Sequence, residues 1–511
     1  MFHIPSSKFH EKGIITPLIL VITSILLIFA VALINWSVTE HKNAQKKIRT
    51  NQALQVAEAG VNYYKWHLEH DENNYRDGED WCCDNDPGLS LADCGGVCGP
   101  YNHSYTDYSG DNIGHFSLKI TPPEVGSTVV TVESTGYAYA DADNEKKITA
   151  QLGKRSLAEY SFLSSAPIWI GSDESTSGPV HSNGINPDYS DGGIRFDGTC
   201  NAEVTSATES YDCADTPGHG CTGIKDGVWG SGGPSSYWRF PVPVVDFDLF
   251  SISLSAIQEK AAQEGGTCDG DSGEGRGICF GDSGAEGYLV KFNSNATIDI
   301  YRVDSLENKV WYRNYEQGGY KKEAEEIQDK TLLGNYNMPD NGLIFIGDDV
   351  WVEGIVNGKV TLAAAKFPEN PNHYARIRIN DNIQYVARDG NHNLGLISQG
   401  DLLVPRYTPD NLTIDATLLS QKGHVYHRIY WDDILCHYYG YTSLCRLRNN
   451  IEVYGGIITN LFWTWTWADG AGTSFAGYDN TLTIYNNNLT FSPPPSFPTS
   501  ENFEVLSWEE N

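Results

Sequence analysis

The sequence predicts a long amino-terminal α-helix lying on a small antiparallel sheet, followed by a mainly-β body built as a parallel β-solenoid. Three observations predict it. An uncharged run of 26 residues, Ile14 to Thr39, continues into an amphipathic helical stripe; three later runs alternate apolar and polar residues; and short apolar phrases recur farther on at a step near 22 residues.

The uncharged run lies within "HEKGIITPLILVITSILLIFAVALINWSV", which begins at residue 10. At about 1.5 Å per helical residue it exceeds a hydrocarbon core of roughly 30 Å, so it reads as a membrane span. It runs into Asn35-Trp36-Ser37 without the small-residue cleavage site of a secretory signal peptide. Lysines flank it on both sides (Lys8 and Lys12; Lys42, Lys46 and Lys47, with Arg49), so flanking charge does not set its orientation. Ile48, Ala53, Val56, Ala57, Gly60, Val61, Tyr64 and Leu68 then recur at three- and four-residue steps. Span and stripe read as one helix from Ile14 to about His70, on the order of 85 Å long. Gly60 costs roughly 1 kcal/mol against alanine there, which implies either a close approach or simple tolerance.

A polar, cysteine-bearing loop is expected from about 71 to 112. Strands follow in "IGHFSLKI", "STVVTVESTGYAYA" and "EKKITAQL", with turns at "TPPEVG" and "DADN". An antiparallel sheet of these runs would cover the helical stripe.

A short charged leader ending in Gly13, an uncharged helix, and "AEAG" (Ala57 to Gly60) leading into a small sheet resemble the type IV pilin superfamily, especially its PilX-like members. The resemblance implies cleavage by a prepilin peptidase between Gly13 and Ile14 and methylation of the new amino terminus. It implies a filament stem through Leu18, Leu20, Ile25, Leu26, Phe29 and Leu33. Other pilin subunits, the pilus assembly machinery and the membrane are the partners implied, with a single pass through the inner membrane, an extracytoplasmic body, and residence in an extracellular pilus. Most members have phenylalanine where this chain has Ile14, and glutamate at the fifth mature position where it has Leu18. The second departure points to a minor or tip subunit; the alternative is an ordinary single-pass anchor in which position 18 has no special meaning.

Beyond residue 50 the chain has 29 Lys and Arg against 64 Asp and Glu, which argues against binding nucleic acid or anionic lipid through that part. Glycine (51) and aromatic residues (13 Trp, 29 Tyr, 18 Phe) are abundant and favour an all-β body. All 11 cysteines follow the span in local groups: Cys82, Cys83, Cys94 and Cys98; Cys200, Cys213 and Cys221; Cys268 and Cys279; Cys436 and Cys445. These read as local disulfides in an oxidising compartment, with one thiol left over. A zinc site of His424, His427, Cys436, His437 and Cys445 is the rival reading, but the spacing fits no standard finger.

In the body, "LTIDATLLSQ" (412–421) matches "IEVYGGIITN" (451–460), and "LISQ" (396–399) repeats the end of both. The copies step by 22 and then 39 residues, the longer step holding a cysteine-bearing insert at 425–448. "NGLIFIGDDVWVEGIVNGKVTLAAA" (341–365), "GPVHSNGI" (178–185) and "GIRFDGTCNAEVTSA" (193–207) read as the same kind of coil. These phrases are similar to extracellular solenoid regions attached to PilX-like stems. Leu249, Ile252, Ala256, Ile257 and Ala261 are spaced for a helix, with Asp246 or Asp248 at its start. The expected organisation is leader 1–13, membrane helix 14–39, pilin-like module 40–153, first β-rich part 154–244, helix and acidic linker 245–276, solenoid 277–491 and carboxy-terminal tail 492–511.

An enzyme on such a coil would draw on Asp348, Asp349, Glu353, Asp432 and Asp433 with Arg446 and Arg448, but glycoside hydrolysis needs carboxylates at a defined separation and these pairs read better as solvated corners. No nucleophile elbow, phosphate loop or His-Glu-x-x-His motif is present. "CDGDSGEG" (268–275) reads as an acidic loop, with calcium on Asp269, Asp271 and Glu274 as the rival. "NLFWTWTWADG" (460–470) alternates so that Trp463, Trp465 and Trp467 would share one strand face, a surface for a sugar or partner, with burial as the competing reading. The expected role is therefore that of a non-enzymatic pilin-like minor subunit, without cofactor or metal, displaying a β-rich domain to a surface or glycan. A filament-independent anchored adhesin and an anchored carbohydrate-active enzyme are the alternatives.

Overall fold

The computed structural model describes residues 15–510 apart from 73, 124–126, 139–140, 173, 186–190, 216–219, 248, 263–266, 272, 274, 315–317, 470–472, 491 and 501. A long amino-terminal helix is followed by a large β-rich body. The chain forms two compact units, one of Met1–Pro122, Val130–Leu152 and Val505–Asn511, the other of Pro123–Val129 and Gly153–Glu504.

In the first unit, helix α1 (Ile15–His70) runs unbroken for 56 residues, about 84 Å. Asp71 N–H donates to the His67 carbonyl in its last turn, and the Asn74 carbonyl receives His67 Nε2, closing the end as the chain turns away. Ala53, Val56, Ala57, Val61, Tyr64 and Leu68 are fully buried, as their spacing predicts. Ile48, expected on the same stripe, is 58% exposed, because it lies before the first helical residue that the sheet covers.

That sheet is ordered β1 (Cys98–Thr106), β2 (Asn112–Thr121), β3 (Val130–Ala138), β4 (Asp141–Gly153), then the strand Glu504–Glu510. Along β3 buried residues alternate strictly with half-buried ones, the signature of one covered face. Phe116, Leu118, Ile120, Val130 and Val132 form that face. Two glycines set the approach. A Cβ on Gly136 would lie 2.2 Å from the Ala53 carbonyl oxygen and 2.4 Å from the Ala57 nitrogen; one on Gly60 would lie 2.2 Å from Ser134 Oγ and 2.9 Å from the Phe116 ring. Gly60 thus marks a close approach. Three sequence expectations need correction. Cys98–Thr106 is a strand inside the expected loop, held by Cys82–Cys98 and by pairing to β2. Asp141 already pairs with Ala138, so "DADN" begins a strand. The expected tail contains the sheet's edge strand.

In the second unit the sheets are mixed, with parallel and antiparallel pairings side by side. One column of residues is parallel and in register across ten strands: Ile278, Ile344, Leu362, Leu396, Leu418, Ile457, Phe162, Val180, Val204 and Trp238. It lines the main core. Chain order differs from stack order. The stack starts at Phe162 and grows to Trp238; the chain then re-enters at Ile278 and grows back until Ile457 closes against Phe162. The neighbouring column, Cys279, Phe345, Ala363, Ile397, Leu419, Ile458 and Leu163, points the other way and is covered by helix α2 (Leu249–Ala261) through Leu254, Ile257 and Ala261.

The recognised repeat falls at the ends of these parallel strands, where the chain turns. Ser398, Ser420 and Thr459 stack in register with Ser164, Ser182 and Ser206, all fully buried. Their hydroxyls serve corner carbonyls: Ser420 Oγ donates to Gly400 at 2.8 Å, Thr459 to Gly423 at 3.0 Å, Ser164 to Leu461 at 2.8 Å and Ser182 to Ala166 at 2.8 Å. A buried carbonyl left unpaired is costly, which is why a hydroxyl residue stands next to last in each copy.

Antiparallel ribbons arise where the chain makes excursions. Gly287–Asn293 pairs antiparallel with Thr297–Leu306, which pairs with Ile327–Asn337; Val310–Arg313 pairs with Tyr320–Glu323. Asp269–Asp271, expected in an acidic loop, is a short strand antiparallel to Ile278–Phe280 beside the Cys268–Cys279 disulfide, and Glu274 lies outside the described residues.

Candidate functional site

Gly13 and Ile14, the residues expected at the processing site, lie outside the described residues. The helix just beyond them is bare. Leu18, Leu20, Ile25, Leu26, Phe29 and Leu33 are 47–63% exposed, and Trp36 is 66% exposed. No described residue of the rest of the chain buries the apolar part of this helix. Apolar residues occupy every side of the helix between Leu18 and Leu33 rather than one stripe, so the segment needs an apolar environment all round. Length and composition suit a membrane, a bundle of like helices, or each in turn.

The tryptophan surface is corrected. Trp465 is 1% exposed and belongs to the core; Trp463 stacks on Phe162 with ring centroids 4.6 Å apart; Trp467 is half-buried and donates Nε1–H to the His427 carbonyl at 2.7 Å. The alternation assumed one continuous strand. Trp463–Thr464 instead follows the parallel neighbour Val425–Tyr426, while Thr466–Ala468 turns into an antiparallel pair with Ser474–Ile484.

The cysteines pair locally: Cys82–Cys98, Cys83–Cys94, Cys213–Cys221, Cys268–Cys279 and Cys436–Cys445, leaving Cys200 free and buried. Cys436 and Cys445 are thus bonded to each other and His424 faces Asp401 at 3.0 Å, so the five candidate zinc ligands do not converge. The Cys436–Cys445 bond staples helix α3 (Trp431–Tyr439) to the turn after it, where Tyr438, Tyr439 and Tyr441 are 62%, 67% and 56% exposed.

The candidate catalytic carboxylates are all engaged. Asp348 meets Lys366 at 2.7 Å and accepts from Ser283; Glu353 meets Lys291 and accepts from Asn380 at 2.6 Å; Asp432 pairs with Arg406. Asp433 accepts the Tyr430 N–H at the start of α3, and burial pushes its carboxyl up to about 6. Arg446 is exposed, whereas Arg448 is buried, donating to the Thr408 carbonyl at 2.8 Å and facing His427. Burial, with Arg448 adding to it, holds His427 down near 3. Asp433 thus lies within electrostatic reach of Arg406, Arg448 and Asp432, whereas Asp348 and Glu353 are paired with lysines.

What sequence reading missed is a buried ionic network. An outward row, Leu289, Trp351, Arg378, Leu403 and Tyr426, runs in register across five strands. Over it lies the hairpin Val310–Arg313 and Tyr320–Glu323. Arg378, 2% exposed, donates to Asp349 at 2.8 Å and Glu323 at 3.1 Å and lies over the Trp351 ring. Arg428 donates to Glu323 at 2.9 Å and Glu325 at 2.6 Å beneath Tyr312, and Tyr430 Oη donates to Glu325 at 2.6 Å. Burial would raise the Glu323 and Asp349 carboxyls, but the arginines outweigh it and hold both below the ordinary range. Asp401, buried beside His424, is held down at about 2. The network fastens the hairpin through these ion pairs, with Arg378 Nε left without a hydrogen-bond partner among the described residues. Its partners lie between 29 and 105 positions apart, beyond any motif.

A groove of about 520 Å³ also lies between the Cys83–Cys94 loop and the outer side of the first unit's sheet, at Lys119, Thr131, Glu133 and Thr149. No sequence signal marked it.

No protein-family model matches the chain, and no curated protein sequence matches it. Among solved structures, the competence-associated pilin ComZ from Thermus thermophilus aligns at 13% identity over 91% of this chain and 97% of that one, with a TM-score of 0.25. A score that low does not bear on fold or function.

Proposed function

We propose that this chain is a pilin-like minor subunit, PilX-like in type, that is cleaved between Gly13 and Ile14, waits in the inner membrane with its body outside the cytoplasm, and joins a type IV pilus or related filament through α1. One observation carries the reading: a single helix is apolar and bare over Leu18–Leu33, yet pinned by its other half, Ala53–Leu68, to its own sheet. Such a helix makes a transferable stem, because the same surface can be buried first in lipid and later among neighbouring stems. Leu18 carries no charge to pair with a neighbour's amino terminus, which suits a minor or tip position.

The body is read as a parallel β-solenoid interrupted by antiparallel excursions, with the ten-strand register column in support. Its task is display rather than catalysis, since the candidate carboxylates are held in ion pairs and a helix cap. A surface or glycan partner would meet the disulfide-stapled insert with Tyr438, Tyr439 and Tyr441 rather than the tryptophan strand. The reading is tested by placing the photo-activatable benzoylphenylalanine at Leu20 or at Phe29 and irradiating filaments sheared from producing cells. Cross-links to other pilins are expected; cross-links absent from the sheared fraction, with all protein retained in the membrane, leave only an anchored ectodomain.

A further inference from the structure

The stretch of α1 between the span and the sheet-covered stripe is basic in a chain whose net charge is −31. Lys42 and Lys46 lie one turn apart on one helical face, and Lys47 stands about 100° round from Lys46. All three are exposed, and none enters an ion pair among the described residues. Arg49 shares the first face but is already partnered.

Their height along the helix is the second observation. Trp36, 66% exposed, sits where an aromatic residue marks the membrane interface, roughly 30 Å of helix beyond the start of the span. Lys42 follows about 9 Å farther on and Lys46 about 15 Å. The headgroup layer on one side is on the order of 5–8 Å deep, and a helical tilt of about 20° together with long lysine stems brings the ammonium groups back toward it.

The third observation is what stands above them. Gly136 meets the helix at Ala53 and Ala57, whereas Ser134 meets it at Gly60, so β3 descends toward the span as its numbering rises. The turn joining β1 to β2 lies at that lower end, since Gly114 pairs with Ala138 and Thr106 with Asn112. Asp107, Asp111 and Glu145 therefore put carboxylates on the membrane-facing rim of this unit. Lipid phosphates would repel that rim, and the lysines lie between the two.

We infer that Lys42, Lys46 and Lys47 form a collar that binds the phosphates of anionic phospholipid headgroups and holds the subunit at a fixed height until it is drawn from the membrane. The inference rests on the membrane reading above. It is tested on the full chain reconstituted into vesicles of phosphatidylcholine alone or mixed with phosphatidylglycerol, by mass-spectrometric mapping of amine acylation. Acylation of Lys42, Lys46 and Lys47 should slow about fivefold or more in the anionic vesicles, as roughly 1 kcal/mol per lysine implies, and recover in high salt while exposed Lys119 is unchanged. The triple variant K42Q/K46Q/K47Q should float with both kinds of vesicle. Equal acylation rates in the two lipids overturn the collar, and slowing that tracks protein density rather than lipid charge assigns the lysines to carboxylates of neighbouring chains and overturns it too. Failure of the unaltered protein to float with either vesicle refutes the membrane reading itself.

Discussion

Replacing Gly136 with alanine adds one methyl group where the sheet touches α1, and the sign of its effect is diagnostic. An alanine in a strand ordinarily gains about 0.5–1 kcal/mol over glycine by restricting the unfolded chain. Here the new Cβ would stand 2.2 Å from the Ala53 carbonyl oxygen and 2.4 Å from the Ala57 nitrogen, both backbone atoms that no rotamer change can move. Reaching an ordinary separation of about 3.5 Å requires the helix to retreat by roughly 1 Å, loosening Val56, Val61 and Tyr64 from the sheet. Overpacking of this kind costs about 1–3 kcal/mol, so a net destabilisation of about 1–2 kcal/mol is expected after the propensity gain. The assay is hydrogen exchange by mass spectrometry on the full chain in detergent. Amides of 53–68 and 130–138 should exchange about 5- to 30-fold faster than in the parent, with Thr135→Ala, half-buried on the other side of β3, close to unchanged. Exchange that is unchanged or slower in Gly136→Ala refutes the packing argument.

Other outcomes follow from the same geometry. Arg428→Met should leave Glu325 buried without its ion partner, cost about 3–5 kcal/mol and expose 310–325 to exchange, a loss that chemical denaturation reads directly. Glu323, Asp349 and Asp401 titrate lower when folded than unfolded, so their contribution is present above the unfolded carboxylate range and is lost as pH falls through the folded values; for Asp401 the window runs from about 4 down to about 2. His427 acts in the same direction from about pH 6.5 downward, whereas Asp433 favours the folded state at low pH and loses that contribution as pH rises through about 6. A melting series from pH 7 to 3 should therefore fall on acidification, and a rise would contradict the network. Ser420→Ala should cost about 1–3 kcal/mol in denaturant, since the Gly400 carbonyl loses its buried donor. Trp465→Ala should lower the melting temperature by emptying the core, whereas changing Tyr438 and Tyr439 to alanine should abolish glycan-array binding without that loss.

Much of this was legible in local pattern. The long helix followed from an uncharged run meeting a three-and-four stripe, and β2 and β3 from period-two alternation. The "SQ" repeat reflected a physical need, a hydroxyl for a buried corner carbonyl, and Ser164 and Ser182 meet the same need in the strands stacked on it. What stayed hidden was nonlocal. Glu504–Glu510 looks like a charged tail because it is an edge strand with mostly exposed side chains. Cys98–Thr106 is polar because only one of its faces meets the core. That the stack begins at Phe162 and is closed by Ile457 depends on strands 295 positions apart, and the network joining Glu325 to Arg428 spans 103. The tryptophan alternation misled because a chain turn at Trp465 breaks the period.

The proposed role depends most directly on the state of the mature amino terminus, which intact-mass and peptide mass spectrometry of the exported protein will read. The account predicts a chain beginning at N-methylated Ile14. A mature, exported protein that still begins at Met1 contradicts it.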